Sequence, residues 1–138
     1  MLDFLSVAMS SERWQFYRYR DEDGNDPVWD FIQKQMTDGE REQLAARMQM
    51  VMEKRTDIAD GKIVENLNEN LYALRIPNTP NNPRIFMCTL SKFRPKSLVM
   101  LHAYQKRTKK IPEAEMKEAR KRLEEVRNDP KQRVFWSL

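Results

Sequence analysis

Three short apolar runs in the second half of the chain constrain its fold most. They are NLYALRI at 70–76, RIFMCTL at 84–90 and LVMLHAY at 98–104, and turns that contain proline separate them. Runs of this length between turn residues predict strands, and such short connections predict that consecutive strands pair with one another. The third run is apolar along nearly its whole length, which favours a central position in the sheet.

The first half of the chain predicts one strand and two helices. Aromatic and polar side chains alternate over 13–20, as they do in a strand. Asp26 precedes a proline, which predicts an N-cap and the start of a short helix. Thr37 and Glu40 have the spacing of a capping box and predict a second helix, which Gly61 ends at the latest.

A last helix follows the three strands. It opens at Pro112 and Glu113, and the Asp-Pro pair at 129–130 stops it. The order of one strand, two helices, three strands and a helix predicts a single α+β domain over 1–138. We expect a small, antiparallel-rich sheet with the helices packed on one face, which leaves a concave, basic face open.

Cysteine and histidine content bounds the chemistry. The chain has one cysteine, Cys88, and one histidine, so neither a disulfide framework nor a usual zinc cluster is expected. Residues 1–9 are apolar but lack a basic start, so we expect no signal peptide and no membrane association. These features together predict a cytoplasmic protein without a metal or cofactor.

Charge is distributed unevenly between the two halves. Residues 1–61 contain 8 Lys and Arg against 13 Asp and Glu, a net charge of −5. Residues 62–138 contain 17 against 8, a net charge of +9. This asymmetry suggests an anionic partner for the second half, although charges from both halves could also mix on one folded surface.

Strand periodicity predicts which side chains share a face. In the third strand, Leu98, Met100, His102 and Tyr104 should point the same way. If the strand faces align, a patch on the open face would comprise Arg75, Arg84, His102, Tyr104 and Lys106.

The three strand segments contain neither Asp nor Glu, which limits the chemistry of such a patch. It offers no carboxylate pair for glycoside hydrolysis and no acidic site for two-metal hydrolysis. Cationic groups beside an aromatic ring suit a phosphodiester, and they stabilise the negative charge of its pentacovalent transition state. In RNA the ribose 2′-OH is an internal nucleophile, so cleavage requires positioning, an acid, a base and charge neutralisation.

Structural interpretations compete with the functional one. His102 could be a hydrogen-bonded structural histidine, and Arg75 could pair with an acidic residue of the first half. The cations of the segment QKRTKKIP (105–112) could form a solvated turn before the last helix. Cys88 lies within a strand and is expected in the core.

Three segments resemble a known family when they are taken in order. They are LYALR at 71–75, RIF at 84–86 and LHAYQKRTKKIP at 101–112. With an aromatic first strand and the helix entry DPVWDFI, they are similar to the phage-derived Gp49-like/HigB branch of the RelE toxin superfamily. The resemblance covers roughly 13–125, so 1–12 and 131–138 are extensions.

The resemblance implies a type II toxin that cleaves mRNA in the ribosomal A site without metal. It implies as partners an antitoxin that often carries a helix-turn-helix domain, the ribosome and mRNA, with operator DNA reached only through the antitoxin. The catalytic positions implied are Arg75 and Arg84 to clamp phosphate, Tyr104 to stack or to shuttle a proton, and Lys106 to assist charge or proton transfer. The RNA-binding positions implied are His102, Arg107, Lys109 and Lys110.

The sequence departs from the family pattern at Ala103, which replaces a glycine, and at Ile111, which replaces an N-cap threonine. The apolar end of the second extension is expected to pack on the chain's own domain. Two other functions stay open: an inhibitor on the same fold that acts by binding, for example to gyrase, and a basic RNA-binding module.

Overall fold

The computed structural model describes residues 14–54, 63–93 and 96–136, and it places three α-helices and six β-strands in them. The helices are α1 (Pro27–Gln35), α2 (Asp38–Lys54) and α3 (Glu113–Asn128). The strands are β1 (Gln15–Tyr19), β2 (Val64–Asn66), β3 (Tyr72–Arg75), β4 (Pro83–Leu90), β5 (Ser97–Gln105) and β6 (Arg133–Phe135). None of the helices in these ranges has the length and apolarity needed to cross a membrane.

All six strands form one mixed sheet in the order β2-β3-β4-β5-β1-β6. β5 pairs parallel with β1 and antiparallel with β4, and the other neighbouring strands are antiparallel. The predicted α+β class and the central position of the third apolar run are confirmed. The short strands β2 and β6 were not predicted, because three residues carry too little periodicity to reveal a strand.

The helices cover both faces of the sheet, so the expectation that they group on one face is wrong. α1 and α2 pack on one face, where their apolar side chains meet Ile85 and Met87 of β4. α3 packs on the opposite face, against Phe86 and Cys88 of the same strand. Because β4 is apolar on both sides, each side requires a cover, and the site described below lies on the α3 face beside that helix.

Helix starts follow the sequence closely at α2 and less closely at α1. The Thr37 hydroxyl accepts from the Glu40 N–H at 3.1 Å, and the Glu40 carboxylate accepts from the Thr37 N–H at 2.8 Å, which confirms the capping box. Asp26 occupies the N-cap position of α1, but its side chain makes no capping bond and accepts from Arg18 Nε at 2.6 Å instead. The expected end at Gly61 lies outside the described residues.

The second extension packs on the domain, as predicted. β6 pairs with β1, and the Trp136 N–H donates to the Phe16 carbonyl at 2.9 Å. The Trp136 ring packs against the core that α1 and α2 cover, whereas Phe135 is 54% exposed. The first extension, 1–12, lies outside the described residues.

Candidate functional site

Three predicted site residues form a row across neighbouring strands. Arg75 of β3 lies opposite Arg84 of β4, and Arg84 lies opposite Tyr104 of β5. Side chains of directly opposed residues share a face and lie about 5 Å apart at Cβ. The row, called the candidate site below, therefore brings two guanidinium groups and a phenol together on the α3 face.

A β-bulge in β5 decides which of its residues reach that face. Phe86 of β4 pairs with His102, but the next residue, Met87, pairs with Met100, so β5 contains one extra residue at this point. Met100 consequently packs on the α1 and α2 side, while the His102 ring stacks on Phe86 on the α3 side. The expectation that Leu98 and Met100 share a face with His102 and Tyr104 is thus wrong, because the bulge reverses the alternation.

Arg84 is a buried cation with few partners. Its side chain is 3% exposed, and one terminal nitrogen donates to Asn82 Oδ1 at 2.8 Å. Its Nε has no hydrogen-bond partner among the described residues. Burial, and next the charge of Arg75, lower the pKa of the guanidinium, while Tyr104 and Glu65 act in the opposite direction. An anion at this position would relieve the repulsion and supply an acceptor.

Tyr104 presents a protonated hydroxyl in the same row. The residue is 8% exposed, and its Oη has no hydrogen-bond partner in the described part of the chain. Burial raises the pKa of Tyr104 to about 12, and Glu115 and Glu65 also raise it, although Arg84 lowers it. At neutral pH the phenol is therefore a proton donor without an acceptor.

The Tyr104 ring packs beside another aromatic ring. Its plane is nearly parallel to that of Phe86, with centroids 5.6 Å apart, and Phe86 also stacks on His102 at 6.0 Å. The three rings pack against one another on the α3 face of the sheet. This packing fixes the direction of the Tyr104 hydroxyl and leaves less of its ring for stacking on a nucleobase.

Both ring nitrogens of His102 are engaged by α3. Nε2 lies 2.5 Å from the Glu115 carboxylate, and Nδ1 lies 3.1 Å from a terminal nitrogen of Arg122. Arginine only donates, so Nδ1 accepts and the proton of the neutral ring belongs on Nε2, which donates to Glu115. Burial, partly opposed by that hydrogen bond, lowers the pKa of His102. These contacts match the structural interpretation of His102, and its predicted role in RNA binding stays a prediction.

Carboxylates reach the candidate site from elements outside the three predicted strands. Glu65 of β2 lies opposite Ala73 and so on the face of Arg75, and Glu115 comes from the first turn of α3. The expectation of a patch without carboxylates is therefore wrong. Nothing in the local sequence marks either residue, because β2 is too short to predict and Glu115 is placed by the packing of α3.

A cleft of about 460 Å³ opens beside the candidate site. It is lined by β5 residues, Tyr104 and Gln105 among them, and by Phe31 and Gln35 of α1. Glu115 lines the same cleft from α3. The cleft runs along β5 beyond its pairing with β1, which covers only Ser97–Met100.

The predicted cations after β5 are held differently from one another. The backbone of Lys106 bonds to Asn82 through its N–H at 3.2 Å, and its carbonyl accepts from the Asn82 amide at 3.3 Å. Arg107 lines the cleft and donates to Gln105 Oε1 at 2.5 Å. Lys109 and Lys110 are exposed on the loop that leads to α3. Arg107, Lys109 and Lys110 together form a charged rim beside the cleft.

Two further observations concern metals and Cys88. In the described ranges, no group of three or more His, Cys, Asp and Glu side chains has the arrangement of a metal site. Cys88 is fully buried, and burial raises the pKa of its thiol to about 12. Its predicted place in the core is confirmed.

The α+β architecture of three helices and one six-stranded mixed sheet is consistent with a RelE-like fold. A family model described as phage-derived protein Gp49-like (DUF891) matches residues 31–124, more than half of the chain. The chain therefore belongs to the Gp49-like family, the family of the HigB branch of RelE-like toxins. This membership gives it a toxin–antitoxin context. No curated protein matches the chain.

Proposed function

We propose that the chain is the toxin of a type II toxin–antitoxin pair and that it cleaves mRNA on the ribosome. The observation that carries the proposal is the register-aligned row of Arg75, Arg84 and Tyr104. In this row the buried Nε of Arg84 and the buried Oη of Tyr104 have no hydrogen-bond partner among the described residues. The oxygens of a phosphodiester would serve as acceptors for both atoms. Electrostatic stabilisation of this kind is commonly the largest single contribution to catalysis.

Each group has a role in the proposed reaction. Arg75 and Arg84 hold the scissile phosphate and neutralise the charge that develops on it. The Tyr104 hydroxyl gives its proton to the leaving 5′-oxygen, and Arg84 stabilises the phenolate that remains. Lys106 adds positive charge at the end of β5. The ribose 2′-OH is the nucleophile, so the protein supplies positioning and proton transfer.

The exposed rim suits a polyanion larger than a dinucleotide. Arg107, Lys109 and Lys110 lie on the loop after β5, where they would contact the backbone of mRNA or ribosomal RNA. An antitoxin that covers this loop would block access to the cleft. We propose a cytoplasmic protein whose partners are this antitoxin, the ribosome and mRNA.

Primer extension on a defined mRNA, with and without translating ribosomes, tests the proposal. We expect cleavage only with ribosomes, within or between A-site codons. Arg75→Ala and Arg84→Ala should abolish it, whereas Arg127→Ala, which changes an exposed arginine at the far end of α3, should not. Circular dichroism checks that the buried Arg84 variant folds, and the half-buried Arg75 serves if it does not.

Intact mRNA in every reaction would reject the nuclease. If expression nevertheless arrested growth, the same fold would act by binding, for example on gyrase. If neither effect appeared but RNA was retained in a filter assay, the chain would be a basic RNA-binding module.

A further inference from the structure

Glu115 is a carboxylate that faces the cleft beside the proposed proton donor. Its side chain is 30% exposed, and it lines the cleft together with Tyr104 and His102. Among the described residues that line this cleft, it is the only acid. Cleavage requires a base for the ribose 2′-OH, and Arg75, Arg84, Tyr104 and Lys106 do not supply one.

The Glu115 carboxylate is held in place by a relay of hydrogen bonds. Its Oε2 accepts from His102 Nε2 at 2.5 Å, and the other His102 nitrogen accepts from Arg122 at 3.1 Å. The same Arg122 nitrogen donates to the Leu101 carbonyl at 2.9 Å, which ties the relay to the bulge in β5. A base oriented through a second group is the usual arrangement of acid–base sites.

We propose that Glu115 is the general base of the cleavage reaction, an inference that rests on the proposed nuclease function. The carboxylate removes the proton of the 2′-OH, and the 2′-oxygen forms a bond to the adjacent phosphorus. The bond from phosphorus to the 5′-oxygen breaks, and that oxygen takes the proton of the Tyr104 hydroxyl. The products carry a 2′,3′-cyclic phosphate and a 5′-hydroxyl end. Glu115 then loses its proton to solvent, and Tyr104 regains one.

Electrostatics couples the two proton transfers. The negative charge of Glu115 helps to raise the pKa of Tyr104 and so to keep it protonated. When Glu115 accepts the 2′-proton, that charge disappears, and the loss of the Tyr104 proton becomes easier at the moment the leaving group needs it. Arg84 stabilises the resulting phenolate from the neighbouring strand.

Glu115→Gln tests the proposal with little change in structure. Glutamine keeps an oxygen that accepts from His102 Nε2 but cannot take a proton, so the relay and the fold are retained. We expect kcat for A-site cleavage to fall about 100-fold or more, with KM and Tm close to those of wild type. Glu124→Gln is the matched control, because Glu124 is an ion-paired glutamate of the same helix, bonded to Arg127. It should cleave as wild type does.

Chemical rescue distinguishes a role of Glu115 as proton acceptor from a purely structural role. Glu115→Ala leaves room in the cleft for a small carboxylate, so formate should restore part of its kcat in a concentration-dependent manner, and chloride should not. Glu115→Gln cleaving within threefold of wild type, or no rescue by formate, would overturn the role of Glu115 alone. Wild-type protein is tested in parallel, and a failure of wild type to cleave would overturn the proposed function and this inference together.

Discussion

Glu40, at the start of α2, bonds to both the backbone and the side chain of Asn81 in the turn between β3 and β4. The Asn81 N–H donates to Oε2 at 2.9 Å, and the Asn81 amide donates to Oε1 at 2.7 Å. The Asn81 Oδ1 in turn accepts from Gln105 at 2.8 Å. A capping carboxylate is usually exposed, but Glu40 is fully buried and anchors the turn that leads into Arg84.

Replacing Glu40 with glutamine should destabilise the protein by about 2–3 kcal/mol. The amide retains one acceptor oxygen, but its NH₂ group would point at a donor of Asn81 or Thr37, and the charge-assisted bonds are lost. Chemical denaturation measures the free energy of unfolding. Glu42→Gln, an exposed glutamate of the same helix, should change it by less than about 0.5 kcal/mol. Equal effects of the two variants would show that the buried network adds no stability.

The stability of the wild-type protein should also depend on pH through Glu40. Burial acts to raise the pKa of this carboxylate, but the hydrogen bonds from Thr37 and Asn81 outweigh it and lower the pKa from 4.5 to about 2. A lowered carboxyl pKa stabilises the folded state above the unfolded pKa, and this stabilisation is lost as pH falls from about 4.5 towards 2. It amounts to about 3 kcal/mol. Glu40→Gln should flatten this part of the stability–pH curve, and an unchanged slope would contradict the assignment.

Tyr104→Phe should impair cleavage without destabilising the fold. The Tyr104 hydroxyl is buried and has no hydrogen-bond partner in the described ranges, so its removal should leave stability unchanged or raise it by about 1 kcal/mol. If it is the proton donor, kcat should fall about 100-fold or more. Thermal unfolding and primer extension measure the two effects. Tyr72→Phe, a control in β3 whose side chain belongs to the opposite core, should leave cleavage unaffected. Lower stability together with full activity in Tyr104→Phe would contradict the assigned role.

That Arg75 and Arg84 share a face followed from the sequence, because side chains alternate regularly along β3 and β4. Arg75 and Arg84 alternate with buried apolar neighbours, so the period of two residues placed both on one face. The same rule failed in β5, where the bulge at His102 adds a residue to the strand. Bulges are set by packing and twist in the folded sheet, and LVMLHAY carries no glycine or proline to mark one.

The sequence could not show which face of the sheet each helix covers, or which carboxylates reach the site. The reason is different from that for the bulge. Whether α3 packs on the face of α1 or on the opposite face depends on which sides of β4 need burial. The apolar run RIFMCTL is compatible with either answer. Glu115 reaches the site only because α3 packs on this face of the sheet. Its contact with His102 therefore depends on tertiary packing, which no local sequence pattern encodes.

Asn82→Gly should remove the hydrogen bond that the Asn82 side chain makes to Arg84 while the backbone of the turn is retained. Asn82 has a φ of 43°, which glycine adopts without strain, so the turn should be retained. The bond from Arg84 to Oδ1 is lost, together with the longer bond of 3.3 Å from the Asn82 amide to the Lys106 carbonyl. A guanidinium that is no longer held should reduce kcat by about tenfold to a hundredfold. Asn78→Gly is the matched control, since Asn78 lies in the same turn with a φ of 61° and is exposed. Equal cleavage by the two variants would show that Asn82 does not position Arg84.

The double variant Lys109→Ala and Lys110→Ala tests the rim of the cleft. Both lysines are exposed on the loop before α3, so their removal should not alter the fold. Each lysine that contacts a phosphate releases counterions on binding, so affinity for RNA depends on salt with a slope of about 0.7–0.9 per contact in a log–log plot. If both lysines contact RNA, the double variant should bind ribosomes more weakly at low salt, with a slope reduced by about 1.5. Sedimentation with ribosomes at several salt concentrations gives the slope. The double variant Lys34→Ala and Lys131→Ala, which removes two exposed charges outside this loop, controls for net charge. A slope equal to that of wild type would remove both lysines from the interface.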